Sequence, residues 1–391
     1  GQNIALPATY FGTVDATPLW ISLLHDAWRW GMPAEQVASL LPALEAALGW
    51  LGDYADPDGD GFIEYLDHTG HGLANQGWKD SGDAVRFHNG SRATPPIALC
   101  EVQGYAYAAA RQGADLLEAY GRPGADRWRE YAATLAARFR QRFWVESPEG
   151  AYPAMALDRD GRRVDALTSN IGHLLGTGLL SDEESRLVAD RLGTPGLSGG
   201  YGLRTMSTSE GGYAPLSYHC GSVWPHDTAI VLAGLARTGF GTLAARLADG
   251  LLAAGEAFEY RLPELYGGDG REQIARPVPY PAACRPQAWS AAAAVALLTA
   301  ALGLEPDVPA GVLRCNALPG ALIGAVRADG LRLAGVPIDA WVDRDGTAGV
   351  SGLPPSVRLA PSISDSASAG ASPGASPGAR PAQPHRQPVV P

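Results

Sequence analysis

Lysine is nearly missing from this chain. Lys79 is the only one, and every other basic residue is arginine. Such a bias is what GC-rich coding produces, so one retained lysine calls for a local reason. Basic charge is also short overall: 30 Lys and Arg stand against 41 Asp and Glu, a formal charge of -11. That deficit excludes an electrostatic nucleic-acid binder, which needs cations to neutralise phosphates. It equally argues against docking on an anionic membrane. No apolar run approaches the roughly 20 residues needed to cross a bilayer. Cysteine is scarce: Cys100, Cys220, Cys284 and Cys315 are far apart and form no CxxC pair. Neither a disulfide framework nor a thiolate metal site is signalled. Free thiols packed as small hydrophobes in a cytoplasmic protein are the expectation. There is no initiator Met and no leader-like start, so the chain is expected to begin partway into a longer protein.

Helical periodicity is abundant. Apolar residues recur at helical spacing over 17–30, 33–51, 97–120, 125–143, 169–175, 181–191, 226–237, 243–260 and 287–302. Ser181 followed by three acids reads as a capped helix start. The joins 53–96, 193–225 and 261–286 are long and rich in Gly, Pro, Trp and Tyr. Long joins of this kind are usually functional. The pattern predicts an all-α toroid of helical hairpins with its chemistry on one rim, not an alternating βαβ sheet. The expected division is a helical domain at 1–304, a small strand-rich segment at 305–350, and a Ser/Ala/Gly/Pro tail at 351–391 too polar to bury a core.

Two carboxylates sit in aromatic, Gly-containing loops. Leu73–Asp83 reads LANQGWKDSGD and holds Asp80. Arg261–Asp269 reads RLPELYGGD and holds Glu264. Glycoside hydrolysis needs one carboxyl group to protonate the leaving oxygen and a second to activate water or attack the sugar. Spacing alone leaves the bland alternative open for each, a solvated or ion-paired loop acid.

Five strings occur in one order: FGTVDATPLW, GLANQGWKDSGDAV with PPIALCEVQGYAYAA, SYHCGSVWPHDTAI, LPELYGG and YPAACRPQAWSAA. Together they resemble the glucosidase domain of bacterial glycogen-debranching (amylo-α-1,6-glucosidase) proteins, relatives of trehalase among the (α/α)6-barrel hydrolases. The resemblance runs from about Tyr10 to about Asp343. It implies an (α/α)6 toroid incomplete at its N-terminus, since about nine helices are present where twelve are needed; a truncated barrel is expected to be unstable or inactive. It also implies an inverting enzyme with Asp80 as general acid and Glu264 as general base, the carboxyls roughly 6.5–9.5 Å apart. Asp80 must then stay protonated near neutral pH. Lys79 is therefore expected to point at a substrate hydroxyl or another acid, away from Asp80. The implied activity is release of glucose from α-1,6 branch points. A trehalase-like or glucosylglycerate-type hydrolase of a small α-glucoside is the alternative, and a non-catalytic sugar-binding barrel a third.

Supporting residues follow. Asp15 either holds sugar hydroxyls or caps the next helix. Glu101 and Gln103 lie on an apolar helix and either face the cavity or serve a core hydrogen-bond network. His219, Trp224 and His226 share one loop and serve substrate contact or loop bracing. Trp78 and Tyr266 flank the two acids and are the stacking candidates, and Tyr65 beside Glu64 faces the sugar. The partner is an oligosaccharide or glucan, and no cofactor or metal is expected. Asp56–Asp67, DPDGDGFIEYLD, resembles a calcium loop. It lacks the closing Glu and an exiting helix, so a tight Asx/Gly turn is the expectation.

Overall fold

The computed structural model describes residues 9–360 apart from 68 and 70. The expected tail therefore lies outside the described residues, except for its first ten positions. The fold is helix-rich. Eight helices of 11 to 20 residues are α1 (Ala16–Arg29), α2 (Ala34–Asp53), α3 (Cys100–Ala119), α4 (Ala125–Arg142), α5 (Asp182–Leu192), α6 (Pro225–Arg237), α7 (Gly241–Ala257) and α8 (Ala288–Leu302). The ninth expected helix is a single 3-10 segment, Ser169–Leu174. Local chemistry sets the boundaries. Ser181 and Glu184 form a reciprocal capping box at α5. Pro225 opens α6, where its missing N–H costs nothing. Gly303 ends α8 at φ 63°, and a Cβ there would lie 2.0 Å from the Asn316 carbonyl carbon.

The helices form two layers. In the inner layer α1, α3, the 3-10 segment, α6 and α8 touch in succession. Behind them lie α2 on α1 and α3, α4 on α3, α5 on the 3-10 segment, and α7 on α6. Inner α3 is buried around most of its circumference, from Cys100 to Leu117. Outer α2 shows only the stripe Val37, Leu41, Leu44, Leu48 and Leu51 to the core. That is the pattern of a helix with one solvent face. Each such leucine contributes about 1.5–3 kcal/mol by leaving water. No helix among the described residues is long and apolar enough to cross a membrane.

Strands follow α8. Leu304–Asp307 pairs antiparallel with Val312–Cys315, which takes Arg358–Leu359 in parallel on its other edge. Val326–Leu333, Val336–Val342 and Ala348–Ser351 form an antiparallel meander. Its first turn is Ala334-Gly335, both at positive φ, the conformation that suits the twist of a two-residue hairpin. The strand region thus continues past the expected limit at residue 350. It has its own core of Leu302, Leu313, Leu333, Ile338 and Val342. It is nevertheless tied to the helices: Val308 N–H donates to Arg29 O and Ala334 N–H to Trp30 O, each at 2.9 Å. The strands and helices belong to one compact unit.

Candidate active site

The three long joins converge on one end of the inner helices. Val223 and Tyr266 exchange both backbone hydrogen bonds, at 2.9 and 3.0 Å, and Thr205 N–H donates to Ser222 O at 2.9 Å. Loops 193–225 and 261–286 are thereby laced side by side. The first is also fastened to the 3-10 segment, where Ser169 N–H reaches Thr205 O. Two residues before the Tyr266 pairing stands Glu264. Ser290, in the first turn of α8, donates its hydroxyl to Pro263 O at 2.7 Å and fixes the same stretch from below.

Asp80 is exposed and Glu264 half-buried. Both oxygens of Glu264 are held: Tyr218 donates its hydroxyl to Oε1 at 2.6 Å, and the Cys284 N–H donates to Oε2 at 3.1 Å. The Asp80 carboxyl is pushed above the usual carboxylate range, first by the protein packed around it and next by the Glu264 charge. The two acids thus feel each other. An elevated acid beside a hydrogen-bonded carboxylate is the asymmetry that acid–base chemistry uses.

Below them lies an aromatic floor. The Trp78 ring is stacked on His173 and meets His219, Trp224 and His226 edge-on, with centroids 4.9 to 5.9 Å away. Trp289, partly exposed on α8, sits 4.3 Å from the His226 ring. Burial pushes the His226 imidazole down to about 3 and holds His219 well below the usual histidine range, so both are neutral. Trp78 Nε1, His219 Nε2 and both His226 nitrogens are buried without a hydrogen-bond partner among the described residues. Neutral imidazole and indole groups so placed offer donors and acceptors to hydroxyls.

The expected contacts of Tyr266 and Tyr65 are corrected, and for Gln103, Glu101 and Trp224 the structure shows the second of their two expected roles, a core hydrogen-bond network or bracing. Tyr266 is fully buried and donates to Tyr201 O at 2.6 Å, so it braces the loop and stacks on nothing in the cleft. Gln103 is spent on the backbone: it accepts from Ile63 N–H and donates to Ile63 O and Leu99 O. Tyr65 is buried and donates to Asn75 Oδ1 at 2.7 Å. Glu101, wholly buried, accepts from Asn170 Nδ2 at 2.8 Å. Lys79 is buried too, with its ammonium on Asn170 Oδ1 and Thr205 O. Trp224 is buried in the floor and donates Nε1–H to Tyr218 O. Asp15 makes no side-chain cap on α1. Its buried carboxyl is raised to about 6, by burial first and the Glu101 charge second.

Residues 13–266 match the profile of the mannosylglycerate hydrolase MGH1-like glycoside hydrolase domain, well over half of the chain. The chain belongs to this glycoside hydrolase family. Solved structures agree on the fold. A Thermus thermophilus mannosylglycerate hydrolase of family GH63, in complex with glucose, superposes at TM-score 0.56 and 19% identity over 75% of this chain and 77% of its own. A sialidase superposes at TM-score 0.64 and 14% identity over 87% of this chain but 32% of its own. A family GH78 rhamnosidase of Bacillus sp. GL1 does so at 0.59 and 16% over 88% and 33%. The chain thus spans about a third of the sialidase and rhamnosidase chains. No curated protein matches it.

Sequence reasoning missed three groups at this site. Tyr218 holds Glu264. Asn170 links Lys79 to Glu101. His173 is buried between Tyr105, whose hydroxyl bonds Nδ1, and Asp227, whose Oδ1 lies 2.7 Å from Nε2. The available signal was polarity inside apolar surroundings, since SNIGHL carries Asn and His in a wholly buried turn. The Asp56–Asp67 segment is knit by Asx turns: Asp56 accepts from Gly59 and Gly61, Asp58 from Asp60, and Asp60 from Phe62. The carboxylates of Asp56, Asp58 and Asp60 gather within 4.8 Å there. Two of the four thiols, Cys100 and Cys220, are buried, whereas Cys284 is exposed, contrary to expectation.

Proposed function

We propose that this hydrolase cleaves a small α-glycoside with inversion at C1. Glu264 takes a proton from water, the oxygen attacks C1, the C1–O bond breaks, and the leaving oxygen takes the proton of Asp80. Exchange with solvent then restores both carboxyl groups. The observation that carries this reading is the geometry at Glu264, a carboxylate held by two donors, and the raised Asp80 carboxyl supports it. The neutral Trp78, His219 and His226 floor suits the hydroxyls of one sugar ring. Asp15, buried near the Glu101 charge, is the further candidate for holding sugar hydroxyls. The two-layered succession of hairpins is read as part of an (α/α)6 toroid.

A small aglycone of the glyceryl type is favoured by the family match over 13–266. The five debranching-like strings support a second reading, release of glucose from α-1,6 branch stubs by the same two carboxyls. Proton NMR of digests decides. Glucosylglycerate, mannosylglycerate, trehalose and limit dextrin are each incubated, and the first anomer released is recorded. The β-anomer released first from a glyceryl α-glycoside is expected, with about 100-fold loss or more in D80N and E264Q. The α-anomer first, or no release from any of the four, overturns the reading.

A further inference from the structure

We propose that Lys79 is the positioning residue for Asp80, a buried cation that bolts down the loop from which the acid projects. The inference rests on the reading of Asp80 as the acid. Three consecutive residues divide sharply: Trp78 and Lys79 are buried, and Asp80 is exposed. The Lys79 ammonium spans to two other elements, Asn170 Oδ1 of the 3-10 segment at 2.7 Å and Thr205 O of the next loop at 2.6 Å. It also lies 5.0 Å over the Trp78 ring. On the other side of Asp80, Ser81 is fixed by His219, whose Nδ1 lies 2.8 Å from the serine hydroxyl. The carboxyl of Asp80 is thus aimed by anchors on both flanks, neither of which touches it.

Burying a cation is costly unless charge and hydrogen bonds compensate. Here two wholly buried acids, Asp227 and Glu101, offset part of that cost, and Asn170 connects the ammonium to Glu101, although burial still pulls Lys79 below the usual lysine range. A compact ammonium on a straight stem fits this space, whereas a planar guanidinium demands a broader, forked set of acceptors. This is the local reason for a lone lysine in an arginine-biased chain.

The test separates aim from folding. General-acid assistance matters for a poor leaving group and little for a 2,4-dinitrophenolate, which departs without a proton. The kcat and KM of K79M, K79R, N170A and D80N are measured on glyceryl α-glucoside and α-mannoside and on the matching 2,4-dinitrophenyl α-glycosides. For K79M we expect kcat on the glyceryl glycoside to fall about 100-fold, with KM within about threefold and the dinitrophenyl rate within about fivefold. K79R is expected to recover part of the loss, because it keeps the charge. An equal fall on both substrates means a merely structural lysine and overturns the proposal, as does no fall on either. Should K79M fail to fold, N170A removes one anchor point and leaves the lysine; it must show the same leaving-group dependence, about tenfold, or the proposal fails. D80N is read separately: if it lacks the leaving-group dependence, the acid assignment itself is wrong, whatever Lys79 does.

Discussion

Tyr218 donates its phenolic hydrogen to Glu264 Oε1 across 2.6 Å, from a loop 46 residues away in sequence. Burial and the Glu264 charge push this phenol up, so it remains a donor throughout the working pH range. The bond fixes the orientation of the candidate base. A hydrogen bond to a charged group contributes about 1.5–3 kcal/mol. Y218F is therefore expected to lower kcat by roughly 10- to 100-fold while leaving the melting temperature within a few degrees. Steady-state kinetics and a thermal melt check this. An unchanged kcat would show that the Cys284 N–H alone orients Glu264.

The elevated carboxyl of Asp80 makes a second prediction, with a definite sign. A general acid works only while protonated, so activity must fall as pH rises through the Asp80 pKa. Part of that elevation comes from the Glu264 charge. E264Q removes the charge and keeps the shape, so Asp80 must titrate at lower pH than in the wild type. Carboxyl 13C shifts of labelled protein, followed against pH, read the midpoint directly. An unchanged or higher midpoint in E264Q would separate the two acids electrostatically.

How far the sequence could be read depends on what kind of information a position carries. Helices are legible because periodicity reports which face is buried; α2, expected over 33–51 with Leu40, Leu41, Leu44, Ala47 and Leu48 as its apolar positions, buries Leu41, Leu44 and Leu48. Loops carry no such signal. The loop sequence points Tyr266 at the substrate and leaves Lys79 and Gln103 open between the cleft and the interior, yet all three turn into the protein. In an irregular segment neighbouring side chains need not alternate, so Trp78 and Lys79 are buried together and Asp80 is not. Pairings such as His173 with Asp227 span 54 residues and exist only after the fold has formed. The two acids themselves came from motif resemblance, because spacing alone did not distinguish them from other loop carboxylates.

The glycine pair of LPELYGG has a steric explanation that spacing could not supply. A Cβ on Gly268 would lie 1.8 Å from the Gly221 carbonyl oxygen, a backbone atom with nowhere to go. The two loops that carry His219 and Glu264 meet at that point. G268A must push them apart, costing about 3 kcal/mol or more and at least tenfold in kcat. G255A, inside α7, is the control: its Cβ would meet nothing closer than 3.9 Å. It is expected to be neutral or stabilising by about 0.5–1 kcal/mol. Urea unfolding of both variants distinguishes a true backbone clash from general intolerance of alanine.

Asp15 gives the clearest pH dependence of stability. Its carboxyl is raised from 3.8 to about 6 in the folded protein, so the fold disfavours its ionised form. In the unfolded chain it ionises near its ordinary value. Below that value both states are protonated and Asp15 exacts no penalty. As pH rises from 3.8 toward 6 the unfolded state loses its proton first, and folding stability falls. Above about 6 the penalty is complete, about 3 kcal/mol at roughly 1.4 kcal/mol per pH unit. D15N removes the ionisation, so at pH 7 it is expected to be more stable than the wild type by about 1–3 kcal/mol. At pH 3.5 the difference should vanish or reverse, because the wild-type carboxyl is then neutral. If Asp15 also holds sugar hydroxyls, the stabler variant will have the higher KM. Urea unfolding of wild type and D15N across this pH range measures the difference. A wild type more stable than D15N at pH 7 would mean that the Glu101 and Trp78 surroundings favour the carboxylate after all.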